Sequence, residues 1–382
     1  MIALPHASLP QPTKPSAAVR LLARPEDQAW DGASPAFASI LRAIAGGERR
    51  IEIHLYVWRC DRIGNAFGKA LLEAADRGVE IVIRKDRGAI LFETQEDNGQ
   101  PFLPLDLPFG KRLLYRLIGC TLPNSAVPLV FDPALGEAVL AHPGISVQWV
   151  APTHVKYYLI DGKVLFIGSL NLEDRHLGYH DALVEIRDAN LIADFLDARG
   201  GEGKGAFLFN LPMENNFPIV DRMLEWIAEA VSEIHLEMAY LGDPAITEAL
   251  VEAARRGVRV RILSSENANI GDQLNKHVLG VLLDRAPQIQ VALSPKMIHT
   301  KLMVVDRRKV TLGSANASVF SLRRAGEANL FLQSEVFAED VLEIFGLRWN
   351  LARPVRCSKD LGPQNRLLAA LQQWHQQRAS HR

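Results

Sequence analysis

The chain has few cysteines and lacks the usual metal-binding motifs. Its three cysteines, Cys60, Cys120 and Cys357, stand far apart in 382 residues. Neither a CxxC pair nor an HExxH sequence occurs, so the common zinc motifs are excluded. This cysteine usage indicates reduced thiols in a cytosolic type of compartment.

The sequence also lacks a strong net charge and a long apolar run. Forty-three basic and 44 acidic residues give a net charge of −1, so no global basic field is available to attract nucleic acid. No stretch approaches the ~20 apolar residues of a transmembrane helix. Residues 1–20 are predicted to be flexible and do not resemble a signal peptide. A lipid substrate would then be reached from one side of a membrane.

One skeleton, H-x-K-x4-D-x6-G-S-x-N, occurs twice, 145 residues apart. The first copy lies in HVKYYLIDGKVLFIGSLN, and its members are His154, Lys156, Asp161, Gly168, Ser169 and Asn171. The second lies in HTKLMVVDRRKVTLGSAN, and its members are His299, Lys301, Asp306, Gly313, Ser314 and Asn316. Chance does not produce six matches at identical spacing, so the repeat predicts one active site built from two half-sites.

The similarity extends beyond the motifs and predicts the fold. Residues 52–83 match residues 233–263, and each segment has the pattern of a strand, a helix, a turn and a second strand. Gly78 and Gly257 stand where a helix C-cap is expected. We therefore predict an α/β fold with two similar β-α-β-containing lobes, packed about a pseudo-twofold with the active site at their interface. The predicted boundaries are an N-terminal lobe at 21–199, a linker at 200–218, a C-terminal lobe at 219–350 and a polar tail at 351–382.

The first lobe carries about 34 extra residues, within roughly 88–142, between its β-α-β unit and its motif. The segment PFLPLDLPFGKRLLYRLIG mixes apolar residues with cations. It is either additional core or a surface that borders the groove and meets lipid headgroups. In the second interpretation, the apolar residues that enter the membrane interface are Phe102, Phe109, Leu113, Leu114 and Leu117. The cations that meet anionic headgroups are Lys111, Arg112 and Arg116.

The repeated residues suit phosphodiester chemistry. Residues i and i+2 of a strand share a face, so each His and Lys should emerge side by side. Lys156 and Lys301 can neutralise a phosphodiester. The predicted phosphate-binding hydroxyls and amides are those of Ser169, Asn171, Ser314 and Asn316. Two opposed histidines supply a nucleophile and a general acid, and neither a metal nor another cofactor is required.

Asp161 and Asp306 complete the repeated catalytic motif, but their position after a strand suits a supporting role. Asp161 and Gly162 form a typical hairpin turn. Arg307 and Arg308 follow Asp306, which predicts a longer turn or one of another type. Each active-site histidine also needs an acceptor for its second ring nitrogen. Asp181 and Glu327 follow the two histidines by 27 and 28 residues and are the candidates.

Other polar residues are interpreted as ordinary. His142, His176, His180 and His277 have no motif around them. Tyr56 and Tyr240 follow the first strand of each repeat, and we expect them in the core or at the rim.

The duplicated skeleton is the HKD motif, and residues 50–350 resemble the phospholipase D superfamily, most closely the bacterial cardiolipin synthases. The resemblance implies two α/β lobes with both motifs at the interface. It further implies that one histidine forms a phosphohistidine and the other protonates the leaving alcohol. By analogy with most two-motif members, His154 is the nucleophile and His299 the acid.

Several functions remain open from the sequence. The first is a phosphatidyltransferase that passes a phosphatidyl group to an alcohol such as phosphatidylglycerol, and the second is a phospholipase D that uses water. A nuclease or another phosphodiesterase is disfavoured by the near-neutral charge and the apolar insertion. Two complete motifs disfavour a non-catalytic protein. The expected partners are a phospholipid and, peripherally, the cytoplasmic face of the inner membrane, without nucleic acid, and the oligomeric state is not predicted.

Overall fold

A computed structural model describes residues 18–22, 35–95, 100–105, 107–110, 113, 117, 133–150, 152–201, 205–362 and 366–378. Within these ranges the strands form two sheets, of seven and eight strands. The strands are β1 (Val19–Leu22), β2 (Arg50–Leu55), β3 (Glu80–Asp86), β4 (Ile145–Val150), β5 (Tyr157–Ile160), β6 (Val164–Gly168), β7 (Leu183–Ile186), β8 (Phe207–Asn210), β9 (Glu233–Met238), β10 (Arg259–Ser265), β11 (Gln290–Ser294), β12 (Lys301–Val305), β13 (Lys309–Gly313), β14 (Glu327–Gln333) and β15 (Arg353–Val355). The helices are α1 (Pro35–Ala45), α2 (Arg62–Asp76), α3 (Ile90–Gln95), α4 (Pro133–Ala141), α5 (Ala189–Arg199), α6 (Pro218–Glu229), α7 (Pro244–Arg255), α8 (Asp272–Arg285), α9 (Val319–Arg323), α10 (Glu335–Leu351) and α11 (Arg366–Arg378).

The two sheets repeat one topology, which confirms the predicted fold class. The first has the order β1-β7-β6-β5-β2-β3-β4, and the second has β8-β14-β13-β12-β9-β10-β11 with β15 added at the far edge. In each lobe three strands are parallel, β2-β3-β4 and β9-β10-β11, and the motif strands run antiparallel beside them. The motif hairpins, β5-β6 and β12-β13, therefore occupy equivalent positions in the two sheets.

The β-α-β units form as the sequence predicts. Asp61 and Asp243 cap α2 and α7 by accepting hydrogen bonds from amides of the first turn. Each helix ends before a glycine with positive φ, +90° at Gly78 and +94° at Gly257. This left-handed conformation closes the helix without a Cβ clash and leads directly into β3 or β10.

The motif strands are buried on both faces, because they separate an outer core from a core shared by the two lobes. In β5, Tyr158 and Ile160 point into the core of the first lobe, while Tyr157 and Leu159 point into the shared core. In β12, Met303 and Val305 belong to the core of the second lobe, while Leu302 and Val304 belong to the shared core. Side chains alternate between these two cores along each strand. Because both cores are apolar, the strand is a continuous apolar run in the sequence.

The lobe boundaries extend beyond the predicted ones. Residues 207–210, assigned to the linker, form β8, the edge strand that pairs with β14. Residues 19 and 20, assigned to the flexible terminus, begin β1, which pairs with β7 in the equivalent position. In the predicted tail, β15 pairs with β11, and α11 packs on α8. Short edge strands carry too few residues for an alternating pattern to be read.

The insertion is only partly within the described residues. Phe102 is buried and stacks on Trp58 with ring centroids 4.2 Å apart, so its predicted contact with lipid is wrong. Phe109, Leu113 and Leu117 are 78%, 50% and 64% exposed. Leu114, Lys111, Arg112 and Arg116 lie outside the described residues. Among the helices that are described, none is long and apolar enough to cross a membrane.

Candidate active site

The two motif histidines lie where the lobes meet. His154 and Lys156 immediately precede β5 rather than lying in it, and His299 precedes β12, whose first residue is Lys301. The backbone N–H of His154 donates to the carbonyl of Gly326, and that of His299 donates to the carbonyl of His180, each at 2.7 Å. Each histidine is therefore fixed by a backbone hydrogen bond from the opposite lobe.

Each imidazole also meets a carboxylate from the opposite lobe. His154 Nδ1 lies 3.2 Å from Glu327 Oε2, and His299 Nδ1 lies 3.0 Å from Asp181 Oδ2. A hydrogen bond at Nδ1 selects the tautomer and leaves Nε2 for chemistry. Asp181 and Glu327 are the predicted orienting residues, and each contacts the histidine of the opposite lobe. Neither lobe therefore contains both a histidine and the carboxylate that orients it.

The two lysines are buried beside these pairs. Each Nζ donates to the backbone carbonyl of the histidine two residues before it. Burial lowers the pKa of Lys156 to about 7 and that of Lys301 to about 8. Glu327 and Asp181 act in the opposite direction. A bound phosphodiester would supply the missing negative charge and stabilise both ammonium groups.

The glycine of each motif is required by close packing. A Cβ on Gly168 would lie 2.3 Å from the carbonyl oxygen of Ala182, and a Cβ on Gly313 would lie 2.2 Å from that of Ala328. Glycine thus lets each strand end approach its neighbour and places the following serine inside the site.

The serines bond to the protein itself. Ser169 Oγ donates to the Asp181 carboxylate, and Ser314 Oγ lies 3.0 Å from the amide nitrogen of Ala328, which donates to it. Asn171 and Asn316 each keep a buried amide oxygen without a hydrogen-bond partner among the described residues. Either amide can turn to present its NH2 group to a phosphoryl oxygen. Phosphate binding by these four residues stays a prediction.

Asp161 and Asp306 lie at the hairpin turns, away from the histidines along their strands. Asp161 accepts hydrogen bonds from the backbone of residues 48, 49 and 50, and Asp306 from that of residues 231, 232 and 233. Both aspartates have positive φ, 54° and 50°. The carboxylates thus fasten each motif hairpin to the start of the central strand.

The second turn differs from the prediction. It has the same length as the first, since Ile160 pairs with Val164 and Val305 pairs with Lys309. Arg307 takes φ +53° where the first turn has Gly162 at +65°. A longer turn or one of another type is therefore wrong. Three backbone hydrogen bonds to Asp306 hold the arginine in a conformation that usually requires glycine.

Replacing Asp161 with alanine should lower stability and spare chemistry. The variant loses the acceptor for three backbone amides and keeps a positive φ that alanine disfavours, at a cost of about 2 kcal/mol in the free energy of unfolding. Asp161→Asn keeps an acceptor and tolerates this φ, so it should lose much less. Denaturant unfolding measures both variants. A large loss of turnover in a folded Asp161→Ala protein would contradict the supporting role.

The same interaction predicts a pH dependence. Partial burial acts to raise the pKa of Asp161, but its backbone donors outweigh this and lower it. The contribution to stability is therefore present above the unfolded value near ~4 and is lost as the pH falls through the lowered value. The stability difference between wild type and Asp161→Ala should shrink in that range.

His176 belongs to the site, so its interpretation as an ordinary residue is wrong. It is buried, its Nδ1 lies 2.6 Å from Asp181 Oδ2, and its ring centroid lies 4.5 Å from that of His299. His176, Asp181 and His299 each place a ligand atom within 4.8 Å of the others, a grouping that could hold a metal ion. His180 contributes its backbone carbonyl to His299. The only indication in the sequence that His176 and His180 are near the site was their position between Asn171 and Asp181.

An aromatic residue, Tyr56, and a basic residue, Arg348, also contact the active-site residues. Tyr56 lies at the rim, with its ring centroid 4.6 Å from that of His154, and the Lys156 ammonium lies 5.2 Å from the same ring. Arg348 is buried and pairs with Glu237 at 2.5 Å. Its guanidinium also donates to the backbone carbonyl of Asp181 at 2.8 Å. No sequence pattern connected Arg348 of α10 to the first motif.

The chain matches known proteins along most of its length. Residues 40–198 and 223–349 match the family model described as "Cardiolipin synthase, PLD-like domain". Cardiolipin synthase 1 of Bacillus cereus is 23% identical over 363 residues, covering 82% of this chain and 66% of that protein. Cardiolipin synthase of Listeria welshimeri is also 23% identical and covers 81% of this chain and 68% of that protein. The chain thus spans about two thirds of the length of these relatives.

A solved structure shares the fold. The phosphatidylserine synthase of Haemophilus influenzae superposes with a TM-score of 0.68 over 94% of this chain and 93% of that one, at 13% identity. At this identity the likeness concerns architecture alone. Two lobes, two complete HKD motifs at their interface and a family match over three quarters of the sequence agree. The chain belongs to the phospholipase D-like family whose domain is described as cardiolipin synthase.

Proposed function

We propose that the protein is a phosphatidyltransferase of the cardiolipin synthase type. It would transfer a phosphatidyl group through a phosphohistidine to an alcohol such as phosphatidylglycerol. The observation that carries the proposal is the pair of histidines at the lobe interface, each oriented through Nδ1 by a carboxylate of the opposite lobe. The names of the B. cereus and L. welshimeri relatives support the substrate class.

In the first step, Nε2 of neutral His154 attacks the phosphorus and forms the P–N bond. The P–O bond to the leaving alcohol breaks, and its electron pair goes to the alkoxide oxygen. Protonated His299 gives that oxygen its Nε2 proton. Lys156 and Lys301 offset the charge on the non-bridging oxygens.

In the second step, neutral His299 takes the proton of the acceptor hydroxyl. The acceptor oxygen then attacks phosphorus, and the P–N bond to His154 breaks. Transfer to an alcohol and hydrolysis differ only in whether the acceptor is a lipid hydroxyl or water. The cation needed at the phosphate is supplied by the two lysines, so the reaction should proceed in excess EDTA.

Lipid mass spectrometry with phosphatidylglycerol vesicles tests the proposal. Cardiolipin and glycerol are the expected products in excess EDTA. Phosphatidic acid without cardiolipin would replace the transferase with a phospholipase D. Unchanged lipid, together with cleavage of nucleic acid, would overturn the lipid assignment in favour of the phosphodiesterase reading. Complete loss of activity in EDTA that zinc or magnesium restores would refute the metal-free mechanism.

We further propose that the exposed part of the insertion contacts the cytoplasmic face of the membrane. Phe109 and Leu113 are four residues apart, and their exposed apolar side chains can enter the headgroup region. Replacing both with serine should weaken vesicle binding roughly 30-fold, as expected when about 2 kcal/mol of apolar transfer is removed. Hydrolysis of a small soluble phosphodiester should be unchanged.

Phe102→Ser is the matched control for this prediction. Because Phe102 is buried against Trp58, this change should lower thermal stability instead. Vesicle sedimentation and thermal melting measure the two effects. A double serine variant that loses stability and both activities together would show that the Phe109 and Leu113 side chains pack in the core.

A further inference from the structure

The helix α11 presents an apolar side to solvent. Leu367, Leu371 and Trp374 are separated by four and three positions, so they lie on one side of the helix. They are 74%, 53% and 48% exposed. A helix on the surface of a globular protein usually carries polar residues on its exposed side. In α11 that side carries two leucines and a tryptophan instead.

The side of α11 that faces the protein includes a polar residue. Gln372 accepts a hydrogen bond at 3.0 Å from the backbone N–H of Leu274, in the first turn of α8, and Ala369 is buried. Since α11 packs on α8, these contacts determine which side of the helix is exposed. An apolar surface that folding leaves exposed is typical of a site that contacts a partner or a membrane.

The helix lies at the active-site end of the second sheet. Lys301 pairs with Met238, the last residue of β9. The side-chain amide of Asn275, in α8, donates to the carbonyl of the next residue, Ala239, at 2.8 Å. Its neighbour Leu274 donates to α11, and α9, which follows the second motif, also packs on α11. These contacts connect α11 to the strand end beside the catalytic lysine.

The charge of this part of the chain is complementary to an anionic surface. Residues 361–382 contain three arginines, at positions 366, 378 and 382, and neither aspartate nor glutamate. The chain as a whole has a net charge of −1, so this excess of positive charge is local. Leucine and tryptophan on one side of a helix, with basic residues and no acidic ones nearby, are typical of a helix that lies in the interface of an anionic membrane.

We propose that α11 binds the surface of a bilayer that contains anionic phospholipid, with Leu367, Leu371 and Trp374 in the interfacial region. The helix thereby holds the active-site end of the second lobe at the membrane. Together with the contact proposed for the insertion of the first lobe, each lobe then has one membrane contact. Delivery of lipid to the site by α11 rests on the proposed function, whereas binding of α11 to the bilayer does not.

Sedimentation with phosphatidylglycerol vesicles tests the inference without turnover. Leu371→Ser combined with Trp374→Ser should weaken binding roughly 30-fold, because two apolar side chains no longer enter the interface. Thermal melting should be unchanged, since both side chains are about half exposed or more. Val231→Ser is the matched control. Val231 is 83% exposed but precedes β9 at the end remote from Lys301, so its replacement should not change vesicle binding.

Trp374→Phe identifies the contact directly. Phenylalanine keeps an apolar ring at this position, so vesicle binding should stay within about threefold of wild type. Quenching of tryptophan fluorescence by brominated phosphatidylglycerol should fall in this variant, because the tryptophan that enters the interface is gone. Phosphatidylcholine vesicles should bind the wild-type protein at least about tenfold more weakly, since they offer the arginines no net negative charge.

Three results would overturn the inference. The first is unchanged vesicle binding in the double serine variant. The second is a clear loss of thermal stability in that variant, which would show that the two side chains pack within the chain. The third is a change from an oligomer to a monomer in light scattering, which would assign the apolar side of α11 to a second copy. If binding behaves as expected but no vesicle lipid is converted, the proposed function fails and the membrane contact of α11 stands.

Discussion

His154→Ala should abolish turnover, with a loss of roughly 10^5-fold or more. Without the imidazole no P–N bond can form, and the neighbouring Lys156 has no geometry of its own for attack because its Nζ is bonded to the His154 carbonyl. Turnover of phosphatidylglycerol vesicles and of a nitrophenyl phosphodiester should both disappear. Both assays are needed, because a good leaving group removes the demand for an acid but not for a nucleophile.

His142→Ala is the matched control for this result. His142 lies between α4 and β4, and its Nε2 is 3.2 Å from Asp76 Oδ1. Its loss should leave both activities unchanged. A loss of tenfold or less in a folded His154→Ala protein would refute the nucleophile assignment. Phosphate trapped on His299 and never on His154 in wild type would reverse the two roles.

His299→Ala should show a loss that depends on the leaving group. Release of a lipid alcohol requires a proton at the alkoxide oxygen, so transfer from phosphatidylglycerol should fall by roughly 10^2- to 10^4-fold. A nitrophenolate leaves without a proton. Phosphorylation of His154 by a nitrophenyl phosphodiester should therefore fall by less than about tenfold, and the phosphoenzyme should accumulate because its breakdown also needs His299 as base.

Quenched-flow measurement of nitrophenolate release, with detection of phosphohistidine on the peptide that contains residue 154, checks this prediction. Asp181→Asn is the informative companion variant, because it keeps the His299 imidazole but removes its carboxylate partner. It should show the same leaving-group dependence to a smaller degree. Equal losses with both leaving groups in His299→Ala would mean that His299 does more than transfer a proton.

Local features of the fold were predictable from the sequence because they have local causes. The β-α-β units follow from short-range periodicity, from capping by Asp61 and Asp243, and from glycines at positions that require positive φ. Duplication added the global symmetry, since a repeated motif predicts repeated strand order. The edge strands β1 and β8 were missed, because four residues in an irregular context carry no periodic signal.

The turn after β12 shows the limit of reading a turn from its own residues. The sequence Asp-Arg-Arg argues against the geometry that Asp-Gly adopts, yet Asp306 and Arg307 adopt it with φ of 50° and 53°. The compensation comes from amides 73 to 75 residues away in sequence, which donate to the Asp306 carboxylate. Long-range hydrogen bonds thus stabilise a turn conformation that the local sequence disfavours.

The sequence by itself determined which groups we propose as reacting, His154 and His299, together with their lysines and the two carboxylates at equivalent places in the repeat. Only the tertiary structure decided the pairing. Glu327 meets His154 across 173 residues, and Asp181 meets His299 across 118. The exchange arises because the shared core packs one sheet against the other and brings each strand end to the partner lobe's histidine. The place of His176 in the site could not be predicted for the same reason, since only the folded chain brings Asp181 and Glu173 to its two ring nitrogens.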